Sequence, residues 1–355
     1  MRLPRASALT AALAFAGGWA ACAPGGEPAG SSTAGDEAAS LSGLLVVTNE
    51  ESGTVSLVST VTRTTVAEIA VGKRPRGVRI APNGELAYVA LSGSPRCPPW
   101  MDEDECGEAD KTADGIAEVN LQTRELLRVL PGGSDPETFD ITPDGARLVV
   151  SNEDSDEASL VDLESGAIFR TVPVGREPEG VRISPDGSLA YVTGETDHDV
   201  TVLDTATGDE IARIGVGHRP RDAVFTPDGQ FAFVSSEIDG TVAEIVVAEN
   251  QVSRTFTMPE GSLSMGVALS PGGETLYVAN GRARTLSVVD LESGEVTATV
   301  EVGERPWGVA VSPDGALLYT ANGPSDDVSV VDTTTLEVIA RIPVGTRPWG
   351  LALVP

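Results

Sequence analysis

The residues best suited to bind a ligand follow a word that recurs along the chain, V-G-x-R-P, in which the residue after the proline changes from copy to copy. Charged side chains at these positions could hold a polar ligand, and large aromatic rings anchor ligands through their contact area. We therefore predict a ligand-binding set of seven residues; the alternative is unselected variation in exposed loops. The seven are Arg76, Glu137, Glu179, Arg221, Met265, Trp307 and Trp349.

A second set of candidate ligands is acidic and follows another recurring word, of which VVTN and YVAN are examples. Carboxylates that converge on one point suit a hard cation such as calcium. A solvated acidic rim is the alternative, because the whole chain is acidic. The candidate metal ligands are Glu153, Glu195 and Glu237, with Glu50, Glu137 and Glu179 as further members of the same rim.

Known catalytic motifs are absent from the sequence. It contains no GxSxG, HExxH, phosphate-binding loop, dinucleotide fingerprint or CxxCH haem-attachment motif. We therefore predict no catalytic residue and no resident cofactor.

The elements that must position these residues come from a repeat of about 42 residues. Each period contains an apolar run, a PDG turn, a second apolar run and two further segments such as DVSVVD and EVIARIPV. Asp-Gly favours a tight hairpin turn, and helical spacing is absent from the repeats. Four short strands in a period of this length are typical of a β-propeller blade. The turns begin at Pro82, Pro143, Pro185, Pro227, Pro271 and Pro313, the first as PNG and the fifth as PGG.

The two ends of the repeat region complement each other. The segment that begins at Leu44, LLVVTN, has no preceding first strand, and the final RPWGLALVP is a first strand with nothing after it. We predict that the C-terminal strand completes the N-terminal blade, because a closed ring leaves no unpaired sheet edge. The predicted fold is all-β: a seven-bladed β-propeller of four-stranded antiparallel blades over residues 44–355, with an insertion at about 93–112.

Charge and the N-terminal residues bear on partners and compartment. The formal net charge is −29, so the surface repels phosphates and we expect no nucleic-acid partner. Residues 1–22 have a basic start, a short apolar run and small residues before Cys22, which resembles the lipobox of bacterial lipoproteins. We predict lipidation of Cys22 and an exported protein, periplasmic or on the cell surface, attached to the outer membrane only through its lipid. Cleavage after Ala23 is the alternative. Residues 23–43 read as a disordered linker.

Two further cysteines lie in the insertion. Cys97 and Cys106 flank the segment PPWMDEDE, and an oxidising compartment would allow them to form a disulfide. A metal pair is the alternative, although two thiols without further ligands make a poor zinc site.

The words YVAN and VVTN, PDG and VSVVD together resemble the YVTN family of bacterial β-propellers, over about residues 44–355. The resemblance implies an exported protein, and we predict a monomeric ligand- or protein-binding module with its protein or small-molecule partner at the propeller mouth. Related propellers include sugar lactonases and haem- or quinone-associated proteins. They imply the alternative of a site in the central channel, with calcium or haem as cofactor and His218 as the candidate haem ligand.

Overall fold

The computed structural model describes residues 41–96 and 106–355. The predicted signal peptide, Cys22 and the linker up to residue 40 lie outside the described residues, and so does Cys97. Lipidation of Cys22 and the Cys97–Cys106 disulfide therefore stay predictions. Among the described residues, no helix is long and apolar enough to cross a membrane.

The described chain folds into seven antiparallel sheets of four strands each, which we number as blades 1–7. Short 3-10 turns occur at Lys111–Ala113, Glu153–Ser155, Val247–Glu249 and Gly323–Ser325. Blades 1–3 consist of β1 (Leu44–Asn49), β2 (Thr54–Ser59) and β3 (Thr64–Ala70) in blade 1; β4 (Pro75–Ile80), β5 (Leu86–Leu91), β6 (Gly115–Asn120) and β7 (Glu125–Leu130) in blade 2; and β8 (Pro136–Ile141), β9 (Arg147–Asn152), β10 (Glu157–Asp162) and β11 (Ala167–Pro173) in blade 3. Blades 4–7 consist of β12 (Pro178–Ile183), β13 (Leu189–Gly194), β14 (Asp199–Asp204) and β15 (Glu210–Gly215) in blade 4; β16 (Pro220–Phe225), β17 (Phe231–Ser236), β18 (Thr241–Val246) and β19 (Gln251–Thr257) in blade 5; β20 (Ser264–Leu269), β21 (Thr275–Asn280), β22 (Thr285–Asp290) and β23 (Val296–Glu301) in blade 6; and β24 (Pro306–Val311), β25 (Leu317–Asn322), β26 (Asp327–Asp332) and β27 (Glu337–Pro343) in blade 7. The last strand, β28 (Pro348–Leu353), returns to blade 1 as its fourth strand.

The PDG words form the turns between the first two strands of the blades, as the repeat predicts. In the turn between β8 and β9, Gly145 has a φ of 71°, which glycine adopts without strain. The Asp144 carboxylate accepts a hydrogen bond from the backbone N–H of Ala146 at 3.0 Å and closes the turn. The turn chemistry therefore sets the register of the two inner strands of each blade.

The ring is closed by strand β28, which pairs antiparallel with β1 and places Ala352 opposite Val46. The innermost strands of neighbouring blades also contact one another all the way round, including β28 with β4. The predicted seven-bladed architecture and its closure by the C-terminal strand are thus confirmed. Closure gives both end strands a hydrogen-bonded neighbour, so neither presents an open edge at this seam.

The apolar core is divided among the spaces between neighbouring blades. Between blades 4 and 5, for example, Tyr191 packs edge-on against Phe225 with ring centroids 4.7 Å apart, beside the buried side chains of Val202 and Ile245. Burying one such side chain contributes about 1.5–3 kcal/mol. Because the core lies between blades, the innermost strands are left to line a central channel.

The innermost strands approach each other too closely for most side chains at their third residue. A Cβ on Gly266 of β20 would lie 2.2 Å from the carbonyl oxygen of Trp307 in β24. Blade 5 carries Asp222 at this position instead, and its Oδ2 accepts a hydrogen bond from the N–H of Val267 in β20 at 3.2 Å. This close packing brings the side chains at the start of the seven strands together.

Candidate functional site

The seven predicted ligand-binding residues all occupy the second position of an innermost strand, at one end of the channel, and we call them the mouth ring. The sequence analysis assigned them to the loops that enter these strands, with variation in exposed loops as the alternative to ligand binding; the structure places them within the strands, and most are not exposed. The two tryptophans are partly exposed, whereas the other five are buried: Arg76, Glu137, Glu179, Arg221 and Met265. Burial follows from the convergence of the inner strands, which packs these side chains against one another.

Arg76 organises one set of acidic side chains at the mouth, the Arg76 cluster. Its guanidinium contacts the carboxylate of Glu137 and lies 3.7 Å from Glu50 and 3.6 Å from Glu153. Arg74 from the preceding loop also pairs with Glu50, at 3.1 Å. The acids predicted as an open rim are therefore neutralised by arginines in this part of the ring.

Arg221 organises the second set, the Arg221 cluster. Its Nη1 contacts Glu179 and lies 2.7 Å from Glu195, and its Nε lies 2.6 Å from Glu237. Arg219 pairs with Glu195 as well and lies 3.6 Å from Glu237. Three buried carboxylates thus share two arginines, so each arginine keeps an anionic partner if Glu195 is neutralised.

Burial shifts the pKa of charged groups in both clusters. Burial raises the pKa of Glu195 to about 7, against the opposing charge of Arg219. Burial also raises the pKa of Glu153, against the charge of Arg76, and lowers the pKa of Arg221, against the charge of Glu237. A carboxylate that titrates near neutral pH can accept or release a proton under ordinary conditions.

The candidate calcium ligands do not form one set in this structure. Glu195 and Glu237 share Arg221, whereas Glu153 lies with Glu137 and Asp135, whose carboxylate oxygens fall within 4.8 Å of one another. The buried Oδ1 of Asp135 has no hydrogen-bond partner. These three carboxylates offer the hard oxygen ligands that calcium prefers, but the Arg76 guanidinium already lies against two of them.

An aromatic stack completes the mouth ring. Trp307 and Trp349, from adjacent innermost strands, stack with centroids 5.3 Å apart and an interplanar angle of 25°. The guanidinium carbons of Arg221 and Arg305 lie 5.4 and 5.2 Å from the Trp307 ring centroid. The stack therefore joins the apolar part of the ring to the Arg221 cluster through cation–π contacts.

Below the mouth, the channel contains a cavity of about 250 Å³. Two arginines on its wall are held by ion pairs: Arg79 Nε lies 2.9 Å from Asp140, and Arg182 Nη2 lies 2.9 Å from Asp222. The wall that continues down from the tryptophans is apolar, with Val309, Ala310, Leu351 and Ala352.

The sequence analysis did not identify the arginines and aspartates of the channel. Arg79, Asp140 and Arg182 lie three residues after the mouth-ring position of their strands, and Asp222 lies one residue after it. In a regular strand the fifth residue points to the face opposite that of the second, so alternation alone would not place these side chains on the same face as the mouth ring. Every innermost strand has a register irregularity after its first residue, as between Pro75 and Val78 of β4, and this irregularity alters the alternation. The run of charges at the fifth position, Arg79, Asp140 and Arg182, is the signal that could have revealed them.

A larger and more open groove of about 720 Å³ lies beside the insertion, where Lys73, Arg74, Ser94, Arg96 and Asp110 contribute to its wall. Lys73 Nζ pairs with Asp110 at 2.7 Å, and both side chains are about half exposed. The channel cavity is the stronger candidate site, because its charged groups are buried or mostly buried and are held in place by several partners.

The candidate haem ligand, His218, lies in the loop before β16, and its side chain is 61% exposed. Its Nδ1 is 2.9 Å from Asp239 Oδ1. This position is distinct from the walls of the channel cavity.

The comparisons with known proteins agree with this fold. A family model described as "Lactonase, 7-bladed beta-propeller" matches residues 209–337, which run from β15 to β27. The chain resembles a lactonase propeller. No curated protein sequence matches it significantly. The resemblance to YVTN proteins stays a prediction.

Several solved structures share the architecture. Kuenenia stuttgartiensis hydrazine synthase is 21% identical, with a TM-score of 0.66, over 78% of this chain and 88% of the other. A functionally unknown protein from Desulfotomaculum acetoxidans DSM 771 is 18% identical, with a TM-score of 0.73, over 88% and 99%. A candidate 6-phosphogluconolactonase from Bacteroides fragilis NCTC 9343 is 17% identical, with a TM-score of 0.69, over 88% and 98%. At these identities the likeness extends to the fold alone.

Proposed function

We propose that the central channel binds a small, oxygen-rich molecule with one flat or apolar face, such as a sugar acid or its lactone. The observation that carries the proposal is the division of the channel wall into two arcs. Innermost strands β4, β12 and β16 contribute charged residues to both the mouth ring and the cavity wall, and β8 adds Glu137 to the mouth ring and Asp140 as the partner of Arg79. Strands β20, β24 and β28 instead contribute methionine, tryptophan, alanine and valine or leucine.

The charged arc can bind oxygen atoms of a ligand. Arg79 uses Nε for Asp140 and Nη1 for the carbonyl oxygen of Val78, and Arg182 uses Nε for a backbone carbonyl and Nη2 for Asp222. A guanidinium carries five N–H donors, so each arginine retains donors for a carboxylate or carbonyl oxygen. The aspartates hold the guanidiniums in position before the ligand arrives, which lowers the entropy lost on binding.

The apolar arc can hold the other face of the ligand. Trp307 and Trp349 are partly exposed at the mouth and stacked on each other, so they offer a rigid surface. The cavity of about 250 Å³ lies below the roughly 300–1,000 Å³ of pockets that hold drug-sized ligands. A small metabolite therefore fits the proposal better than a peptide or an oligosaccharide.

Titration calorimetry with gluconate, gluconolactone and 6-phosphogluconate tests this proposal. The double variant Trp307→Ala with Trp349→Ala should weaken binding by at least roughly tenfold, as expected for central aromatic contacts. The matched control is Phe169→Ala, which removes an exposed ring from the outer strand β11 and should leave binding unchanged. Equal binding by the double variant and the wild type would place the site elsewhere.

A second candidate function is hydrolysis of a cyclic ester, favoured by the lactonase family model over residues 209–337 and by the titration of Glu195 near neutral pH. Water would add to the ester carbonyl carbon, the ring C–O bond would break, and the product would be the open hydroxy acid. Glu179 lines the cavity and shares Arg221 Nη1 with Glu195, so this carboxylate pair would take the proton from water and return it to the departing alkoxide oxygen.

Lactone hydrolysis is measured by acid release at constant pH. If the pair acts as the base, the rate should rise with pH through about 7, because the ionised carboxylate accepts the proton. Glu195→Gln and Glu179→Gln should each remove most of the activity, while the exposed Glu295→Gln should not. Binding without acid release would support the binding function and exclude this reaction.

We also propose that the chain is exported and anchored through a lipid on Cys22, from the sequence features given above. The wild-type protein should fractionate with membranes and incorporate palmitate in a bacterial host. Cys22→Ser should be soluble and unlabelled. Labelling that persists in the Cys22→Ser variant would contradict the anchor.

A further inference from the structure

The two histidines of the chain lie side by side, although 20 residues separate them. His198 comes from the turn between β13 and β14, and His218 from the loop between β15 and β16. Their ring centroids are 4.6 Å apart, and the rings meet at 67°. Both belong to loops on the mouth face, in the neighbouring blades 4 and 5.

The backbone around the pair is common to other blades, but the imidazoles are not. His218 N–H donates to Asp239 Oδ2 at 2.7 Å, as Arg176 N–H donates to Asp197 Oδ2 at 2.9 Å one blade earlier. His198 has a φ of 60°, and so do equivalent residues of other kinds within a few degrees. Those equivalents are Asp156, Gly240, Arg284 and Asp326, while Lys73, Arg176, Glu304 and Thr346 stand in the place of His218. The repeat therefore has no structural need for histidine at either position.

The nitrogen atoms of both rings have distinct environments. His218 Nδ1 lies 2.9 and 3.0 Å from the two carboxylate oxygens of Asp239. His198 Nδ1 lies 2.9 Å from the carbonyl oxygen of Glu195, with a longer 3.4 Å contact to the N–H of Arg219. A carbonyl oxygen only accepts, so the shorter contact requires the proton on Nδ1. Both rings can then present the lone pair of Nε2, the tautomer found in metal-binding histidines.

We propose that His198 and His218 together bind one divalent transition-metal ion, such as Zn²⁺, Cu²⁺ or Ni²⁺, each through Nε2. Two imidazoles that share a metal at about 2.0–2.1 Å from each nitrogen have ring centroids roughly 4.5 Å apart at a nitrogen–metal–nitrogen angle of about 90° and roughly 5.2 Å apart at the tetrahedral angle. The observed separation of 4.6 Å lies in this range. Asp239 and the Glu195 carbonyl act as outer hydrogen-bond acceptors, which orient the rings and keep the proton on Nδ1.

The charges around the two histidines and the exposure of His218 suit a bound cation that keeps open coordination positions. Asp197 and Asp239 contribute negative charge near the pair, against Arg219 and Arg176. His218 is 61% exposed, so water or an external ligand can complete the coordination. Imidazole ligands select zinc, copper or nickel over calcium and magnesium, which prefer oxygen. The site is therefore chemically distinct from the carboxylate group of Asp135, Glu137 and Glu153.

The test uses the full chain without an affinity tag and titrates it calorimetrically with Zn²⁺ in a millimolar calcium background, which occupies carboxylate sites. The wild type should bind one equivalent, and His218→Gln and His198→Gln should each weaken binding by at least roughly tenfold. The matched control, Asp135→Asn, removes a ligand from the carboxylate group and should bind Zn²⁺ like the wild type.

Electron paramagnetic resonance of the Cu²⁺ form gives a second measurement, and it should show nitrogen coupling from two imidazoles. His218 is exposed, so its variant should fold even if His198→Gln does not. The proposal is overturned if the wild type shows no saturable binding, if His218→Gln binds as tightly as the wild type, if Asp135→Asn abolishes binding, or if the copper spectrum shows one imidazole.

Discussion

Replacing Glu195 by glutamine should make the protein more stable at neutral and alkaline pH. Glutamine has nearly the shape of a protonated glutamate and cannot ionise. Its two cationic neighbours keep other partners, because Arg221 also contacts Glu179 and Glu237, and Arg219 lies 3.6 Å from Glu237. The variant therefore removes a buried negative charge and leaves the arginines neutralised.

The size of the effect follows from the pKa. Burial raises the pKa of Glu195 from 4.5 to about 7, and each unit of pKa corresponds to about 1.4 kcal/mol, so ionising this group in the folded protein costs about 3 kcal/mol. Between about pH 4.5 and 7 the folded state binds more protons than the unfolded state, so the wild-type free energy of unfolding falls as the pH rises. The Gln variant lacks this contribution. Its gain should be close to zero near pH 4.5 and should reach about 3 kcal/mol above pH 7.

Urea unfolding followed by circular dichroism, at several pH values from about 4.5 to 8, measures this difference. Glu295→Gln removes an exposed carboxylate and is the control, with an expected change within about 0.5 kcal/mol at every pH. The reasoning is refuted if the difference between Glu195→Gln and the wild type stays constant with pH, or if the variant becomes relatively less stable as the pH rises.

Three further perturbations test the packing of the ring. Gly266→Ala should destabilise the protein by about 2 kcal/mol or more in urea unfolding, because its Cβ would meet a backbone carbonyl at 2.2 Å. Gly215→Ala is the control and should be nearly neutral, because no atom lies within 4 Å of its Cβ. Equal effects of the two substitutions would contradict the close approach of the inner strands. Asp140→Asn should cost about 1.5–3 kcal/mol, because Arg79 loses its direct partner and retains only the charge of Asp222, and an unchanged urea midpoint would exclude a structural ion pair. Truncation before Pro348 should expose an edge of blade 1 and cause aggregation in size-exclusion chromatography, and a monodisperse truncated protein would show that closure is dispensable.

The Arg221 cluster illustrates how preorganised charge can oppose stability. Burying Glu179, Glu195 and Glu237 around one guanidinium removes these charges from water, which lowers the free energy of unfolding relative to apolar residues of similar size. The same cluster holds Arg221 rigidly over Trp307 at the mouth. Such preorganisation suits a ligand site, because rotamers fixed in advance need not be ordered on binding.

The sequence by itself determined the architecture of this protein. The PDG turns, the alternating strands and their period specify antiparallel blades, since turn geometry and side-chain alternation are local properties of the chain. The complementary ends add the closure, in which β28 pairs with β1. Even the seven mouth-ring positions were accessible, because the repeat aligns them in every blade.

Only the tertiary structure decided what those residues contact. Arg76 meets Glu137 and Arg79 meets Asp140 between blades 2 and 3, and the two histidines meet between blades 4 and 5. The two ion pairs depend on the convergence of the innermost strands and on the register irregularity near their start, and the histidine contact depends on how the loops of blades 4 and 5 approach each other. Repeat spacing fixes which positions are equivalent, but it does not fix the distance or rotation between neighbouring blades. Side-chain pairing at the mouth and in the channel therefore follows from how the blades pack around the ring.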